Sequence, residues 1–362
     1  MTERTTLSAR RVLWPDGRLA PGTVHVVGDR IEAVEPASPD APDLVIAPGF
    51  VDLQVNGIDD IDVAVADGAD WDRLDELLLA QGTTTWCPTI VTSPPAARDA
   101  AIARVARARA AARTTIVGVH LEGPFLGSRP GAHRAEWFVD PTPDRLAALT
   151  DEVRIVTLAP ERPGALEAIA SLAGRGVLVA LGHSGADHDL AVAAVDAGAR
   201  LVTHGFNAMS GLHHREPGLV GVALADERLC TSLIADGIHV HPTVLAIAVR
   251  ALGADRCVLV TDAVAWRTDR LAGRGIALVD GAPRLPDGTL AGSALTMDGA
   301  IRTLVERAGV ELAVALRAAS TTPARLLGLD DRGVLRAGAR ADIAVLDATL
   351  HVADVLVAGR AR

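Results

Sequence analysis

The chain of 362 residues contains no lysine: all 35 of its basic residues are arginine. That absence excludes a carboxylated lysine as a bridge between metal ions, and it excludes Schiff-base chemistry. Tyrosine is also absent, and aromatic residues make up 2% of the chain. Three cysteines, Cys87, Cys230 and Cys257, lie far apart within apolar runs, which predicts buried free thiols rather than a disulfide or a thiolate metal site. No apolar run of membrane-spanning length is free of charge, so no transmembrane helix is predicted. The first twenty residues show no signal-peptide pattern, and the expected location is the cytoplasm. A formal net charge of −10 without a cluster of basic residues argues against nucleic-acid binding.

What is present is a large apolar inventory, 49% of the residues, enough for a barrel with an accessory domain. Its most telling stretch is TIVGVHLEGPF, Thr115 to Phe125, a β-branched run that ends in a carboxylate, a glycine and a proline. With period two, His120 and Glu122 fall on one side of a strand. Three later runs end the same way: GVLVALGHSGAD delivers His183, RLVTHGFNAM delivers His204, and RCVLVTDAV delivers Asp262. Apolar strands that each end in one titratable side chain are what a parallel barrel needs to build a site at its C-terminal face.

Read in order, the chain opens with short β segments separated by the turn signals PDG and GD, and it closes in the same style. Neither end has enough strands to bury a face alone, so residues 1–47 and 332–362 are predicted to meet in a small β-sandwich. Between them, residues 48–331 alternate strands with helical patterns. Strands are predicted near 49–54, 83–91, 115–122, 153–159, 176–182, 200–204, 230–235 and 256–261. This is the pattern of an α/β fold, a distorted (β/α)₈ TIM-like barrel. GIALVDGAPRLPDGTLAG reads as a β-hairpin inserted after the eighth strand.

Glu122, His183 and His204 are the ligand types that hold Zn²⁺ while leaving a position open. A strand-end glutamate alone is usually solvated, and a buried histidine often only satisfies hydrogen bonds; three strand ends together favour a metal. Asp262 follows an unbroken apolar strand, where an N-cap is the bland alternative to a general base. His239, in IADGIHV, lies just past the seventh strand and suits a polar contact to substrate. His133 sits in the Pro/Gly-rich loop after Glu122 and is a candidate to polarise a carbonyl. Asn207, Ala208 and Arg215 are candidates for a phosphate site.

The series PGFVDLQVNG, HLEGPF, GAHR, TLAPE, GHS, THGFNAM, REPGLVG, IADGIHV, LVTDA and DGTLAGSALTM, in this order, resembles the N-acetylglucosamine-6-phosphate deacetylases of the amidohydrolase superfamily. The resemblance runs over essentially the whole chain. It implies one divalent metal ion, most simply Zn²⁺, held by Glu122, His183 and His204, with Asp262 as general base and acid. It implies that His133 polarises the acetyl carbonyl, that His239 contacts the sugar, and that Asn207, Ala208 and Arg215 serve the phosphate. It also implies a homodimer whose arginine reaches the neighbouring site, and a small amino-sugar phosphate as substrate.

Two departures bear on the site. Where many amidohydrolases carry His-X-His, this chain has Gln54 and Asn56, poor Zn²⁺ ligands, which predicts a single metal. The segments IDDID after the first barrel strand and AWRTDRLAGRG after Asp262 differ from the usual loops on the substrate face. A related amidohydrolase acting on another N-acyl substrate is the second expectation. A non-catalytic scaffold is the third, and the presence of every ligand and of Asp262 weighs against it.

Overall fold

The computed structural model describes residues 4–267 and 275–362. Part of the AWRTDRLAGRG loop lies outside the described residues.

The two ends of the chain meet in one seven-stranded sheet. Its order is Arg360–Ala361, Val352–Val357, Ile343–Leu346, Val45–Pro48, Arg4–Leu13, Leu19–Val27, Arg30–Pro36. The seam is Val45–Pro48, antiparallel to Ile343–Leu346 on one side and parallel to Arg4–Leu13 on the other. Alternation along these strands places Val12, Val24, Val26, Ile31, Ile343 and Leu356 in one buried cluster. Val45–Pro48 then runs through Gly49 into the first barrel strand. Only glycine fits at that step, because a Cβ on Gly49 would lie 2.2 Å from the Thr84 hydroxyl oxygen.

The barrel strands are Phe50–Asp59, Thr83–Val91, Val119–Glu122, Val153–Leu158, Leu178–Leu181, Leu201–Val202, Cys230–Leu233 and Cys257–Leu259. Each pairs in parallel with the next. The eighth run continues to Ala263–Ala265, which pairs in parallel with the first strand. The circle is therefore closed by one segment that belongs to both neighbours. Buried Asp52 ties the junction, accepting hydrogen bonds from Thr261 Oγ1 at 2.6 Å and from the backbone N–H of Gln54 at 3.1 Å.

Period two decides what fills the inside. Ile155, Ala180, Leu201 and Val258 share an interior cluster with Ala324 and Leu327 from the chain near its closing helix, Thr321–Leu326. Val156, Val179, Leu181 and Val202 belong to the cluster packed against the helices. In the helix Ala165–Gly174 the buried residues are Ala165, Ala168, Ile169 and Leu172, the i, i+3, i+4, i+7 stripe of a core-facing helix. Burying Ile169 and Leu172 contributes roughly 1.5–3 kcal/mol each. The helix His188–Ala197 starts where Asp187 accepts from the Leu190 N–H at 2.9 Å.

Two predicted strands are interrupted or shorter. The run 115–122 breaks between Thr115–Ile116 and Val119–Glu122. There Gly118 takes φ +152°, and a Cβ would meet the Glu152 carbonyl at 2.7 Å. The sixth strand keeps only Leu201–Val202, because His204 turns to φ +34°. The inserted hairpin is present as Ala277–Val279 paired with Ala282–Arg284. Cys87, Cys230 and Cys257 are free and buried, and burial pushes the Cys87 and Cys257 thiols up to about 12. No helix among the described residues is long and apolar enough to cross a membrane.

Candidate active site and metal centre

The strand ends deliver their side chains to one point. Glu122 Oε1 lies 3.1 Å from His183 Nε2 and 2.9 Å from His204 Nε2, and the two imidazole nitrogens are 3.1 Å apart. All three residues are buried. His183 takes φ +50° and Asp262 φ +48°, left-handed conformations that non-glycine residues rarely adopt and that cluster where side chains must be aimed.

The hydrogen-bond pattern fits a cation. His183 Nδ1 is 3.1 Å from the Arg129 carbonyl, an acceptor, so Nδ1 carries the hydrogen and Nε2 presents a lone pair to Glu122. Among the described residues His204 Nδ1 is buried without a partner, and one hydrogen on His204 Nε2 cannot serve both neighbours. A cation serves all three donor atoms. Their 2.9–3.1 Å spacings approach the ~3.3 Å edge of a tetrahedron with bonds of about 2.05 Å.

His133 makes a second candidate trio: Glu122, His133 and His183 each place a donor atom within 4.8 Å of the others. Its contact is looser, however, with Nε2 3.6 Å from the other carboxylate oxygen, Oε2, and Nδ1 3.1 Å from Thr92 Oγ1. Burial first, and then the charge of His183, push the His133 imidazole down to about 4, so it is neutral at pH 7. Burial alone would raise the Glu122 carboxyl, but His133, His183 and His204 outweigh it and hold the group well below the usual range. An ionised carboxylate facing Nε2 favours the tautomer with its hydrogen there, in which the Thr92 hydroxyl donates to Nδ1 at 3.1 Å instead of to the Glu122 carbonyl at 3.2 Å. In that tautomer His133 would donate a hydrogen bond, which leaves His204 as the candidate for the third ligand.

Asp262 is joined to this centre through amides. Gln54 Nε2 lies 3.0 Å from both Glu122 Oε1 and Asp262 Oδ1, and Asn56 Nδ2 donates to Asp262 Oδ1 at 2.7 Å. Burial, and next the charge of Glu122, push the Asp262 carboxyl up to about 8 in the absence of a cation.

A cavity of about 410 Å³ opens over the centre, and its lining includes Asn56, Glu122, His133, His183, His204, Asn207, Ala208, His239 and Asp262. His239 is held by Asp236, whose carboxylate takes its Nδ1 at 2.7 Å and the backbone N–H groups of Ile238 and His239 at 2.8 Å each. Asn207 donates to the His204 carbonyl at 3.0 Å. Arg215 is exposed, pairs with His214 at 2.7 Å, and is not among the residues lining this chain's cavity.

Sequence reasoning did not assign roles to Asp236, Thr92, Glu161 or Arg284. Only the D-G-I-H spacing hinted at Asp236. Glu161 accepts from the Ser128 and Gly185 N–H groups at 3.1 and 2.8 Å and from the Ser184 hydroxyl at 2.6 Å, bracing the loop after His183. His120 is a satisfied core histidine, with Nδ1 2.9 Å from the Leu53 carbonyl and Nε2 2.8 Å from Thr157 Oγ1.

A model of the amidohydrolase family matches residues 45–361, spanning the barrel, the centre just described and the C-terminal strands. The chain belongs to the amidohydrolase family. Among amidohydrolases it is 39% identical to the N-acetylgalactosamine-6-phosphate deacetylase of Escherichia coli O157:H7, over 98% of both chains. It is 40% identical to the N-acetylglucosamine-6-phosphate deacetylase of Bos taurus, covering 87% of this chain and 82% of that one. The structure of a Mycobacterium smegmatis N-acetyl-D-glucosamine-6-phosphate deacetylase variant, in complex with N-acetyl-D-glucosamine-6-phosphate, matches with a TM-score of 0.91 at 36% identity over 99% of each chain. That of the N-acetylglucosamine-6-phosphate deacetylase of Thermotoga maritima matches with 0.90 at 28%, again over 99% of each.

Proposed function

We propose that this amidohydrolase removes the acetyl group from N-acetyl-D-glucosamine 6-phosphate, releasing D-glucosamine 6-phosphate and acetate. The observation that carries the reading is the convergence of Glu122 Oε1, His183 Nε2 and His204 Nε2, with Asp262 in the same cavity, on a chain similar to solved N-acetylglucosamine-6-phosphate deacetylases over nearly its full length. The metal is a single Zn²⁺-class ion held by Glu122, His183 and His204. When bound, it supplies Lewis-acid polarisation and a nucleophile at neutral pH.

The chain's own groups do the rest. Asp262 accepts a proton from the attacking water and returns it to the amine nitrogen, which departs poorly unless protonated. Neutral His133 donates to the acetyl carbonyl oxygen as charge develops there. His239, aimed by Asp236, contacts the sugar, while Asn207 and Ala208 line the route toward the phosphate. Arg215, exposed in one chain, serves a neighbouring site in a homodimer. The barrel, 48–331, carries the chemistry, and segments 1–47 and 332–362 form the accessory domain. Buried unpaired thiols support a cytoplasmic setting.

One observation favours the galactosamine epimer as a second reading: the Escherichia coli O157:H7 relative matches over 98% of both chains. An amine-release assay on protein of measured metal content decides between them. The panel is the N-acetylated glucosamine, galactosamine and mannosamine, each with and without a 6-phosphate. Turnover of the phosphorylated glucosamine above the rest supports the proposal, and release from none of them refutes it.

A further inference from the structure

We infer that Arg284, on the inserted hairpin, binds the phosphate of the substrate from within the same chain; this rests on the deacetylase reading. Arg284 lines the cavity that holds Glu122, His183, His204 and Asp262, whereas Arg215 is not among that cavity's lining residues. Its position follows from the hairpin's register. Arg284 bridges to Leu290, two residues before Gly292. Gly292 presses on Asp262, since a Cβ there would lie 2.7 Å from the Asp262 carbonyl, and the next residue, Ser293, donates its N–H to that carbonyl at 2.8 Å. Two residues of strand are ~7 Å. The register therefore sets the Arg284 backbone two strand residues from the segment that packs on Asp262, with its guanidinium turned toward the Gly288 carbonyl.

Its guanidinium is preset rather than spent. One nitrogen, Nη1, donates to the Gly288 carbonyl at 2.8 Å, inside a turn closed by Leu285 N–H to Thr289 and Gly288 N–H to Leu285. Among the described residues no carboxylate forms an ion pair with Arg284. Its remaining N–H groups are available for the forked contact that arginine makes with phosphate. The chain carries a formal charge of −10, and the cavity itself holds two carboxylates, Glu122 and Asp262. A divalent ion at the centre would offset those two charges, and Arg284 adds positive charge on the hairpin side of the cavity. Arg134 also lines the cavity, but its guanidinium lies over the Trp137 ring, 5.1 Å from the centroid.

The test compares wild type with Arg284→Gln and Arg284→Lys on N-acetylglucosamine with and without the 6-phosphate. For the phosphorylated substrate, Arg284→Gln should lower kcat/KM by about 10-fold to 100-fold, mainly through KM, the range for a lost charge-assisted hydrogen bond. The loss on the unphosphorylated sugar should be much smaller, and Arg284→Lys should fall between. Equal losses on both sugars, or no loss, overturn the inference. Calorimetric titration with glucose 6-phosphate, which has no amide to cleave, reads the contact without catalysis. Binding at least about 10-fold weaker in Arg284→Gln supports the assignment, and equal binding overturns it even if the wild type releases no amine.

Discussion

Gln54 Nε2 donates to Asp262 Oδ1 at 3.0 Å, and the same amide lies 3.0 Å from Glu122 Oε1. Glu122 is held ionised and accepts only, so nitrogen rather than oxygen faces it. A side chain that offers hydrogens to two carboxylates presents no lone pair to a second metal. Elemental analysis of dialysed protein should therefore find about one Zn²⁺-class ion per chain. Two tightly held ions would contradict this arrangement.

The two candidate trios differ in their third member, and that difference is measurable. His204→Ala should lose metal, with affinity falling by more than the ~10–100-fold that outer partners of a metal site cost. His133→Ala should keep its metal and lose roughly 10²–10³-fold in kcat, as for the loss of one donor to a developing oxyanion. Metal loss in His133→Ala with retention in His204→Ala would exchange their roles.

Much of this site was legible because apolar strands end in the residues that matter. Glu122, His183, His204 and Asp262 each stand where a β-branched or leucine-rich run stops, and period two separates them from the core. The barrel followed from the spacing of the same runs. His133 was harder to place, since its nearness to Glu122 depends on how the Gly131 loop folds back over the barrel. Arg284 carried no signal, being one arginine among 35 until the hairpin register paired it with Leu290 in the wall of the cavity. The shortened sixth strand was equally hidden, because local propensity does not reveal that His204 must turn to a positive φ to aim its ring.

Asp262 also gives the metal-free protein a pH signature. Its folded pKa, about 8, is raised above the unfolded value of about 3.9, so folding favours its protonated form. That contribution is fully present below about pH 4 and is lost as pH rises toward about 8, by roughly 1.4 kcal/mol per pH unit at most. Asp262→Asn removes it. Calorimetry of both metal-stripped proteins should show the Tm of the variant minus that of wild type increasing with pH across this window. Comparing the two proteins cancels the opposite slopes from Glu122 and His133. A pH-independent difference would mean that Asp262 is not held protonated by burial.

The most direct test of the proposed chemistry is the turnover and metal content of Asp262→Asn on N-acetylglucosamine 6-phosphate. Asparagine keeps the shape but cannot take the proton from water and deliver it to nitrogen. The predicted result is a kcat at least about 10²-fold below wild type, the lower end of general acid–base effects, with metal content unchanged. A variant that turns over at near wild-type rate would contradict the account and move the proton transfer to another group, with His239, which also lines the cavity, a candidate; a variant that loses its metal would make Asp262 a ligand instead.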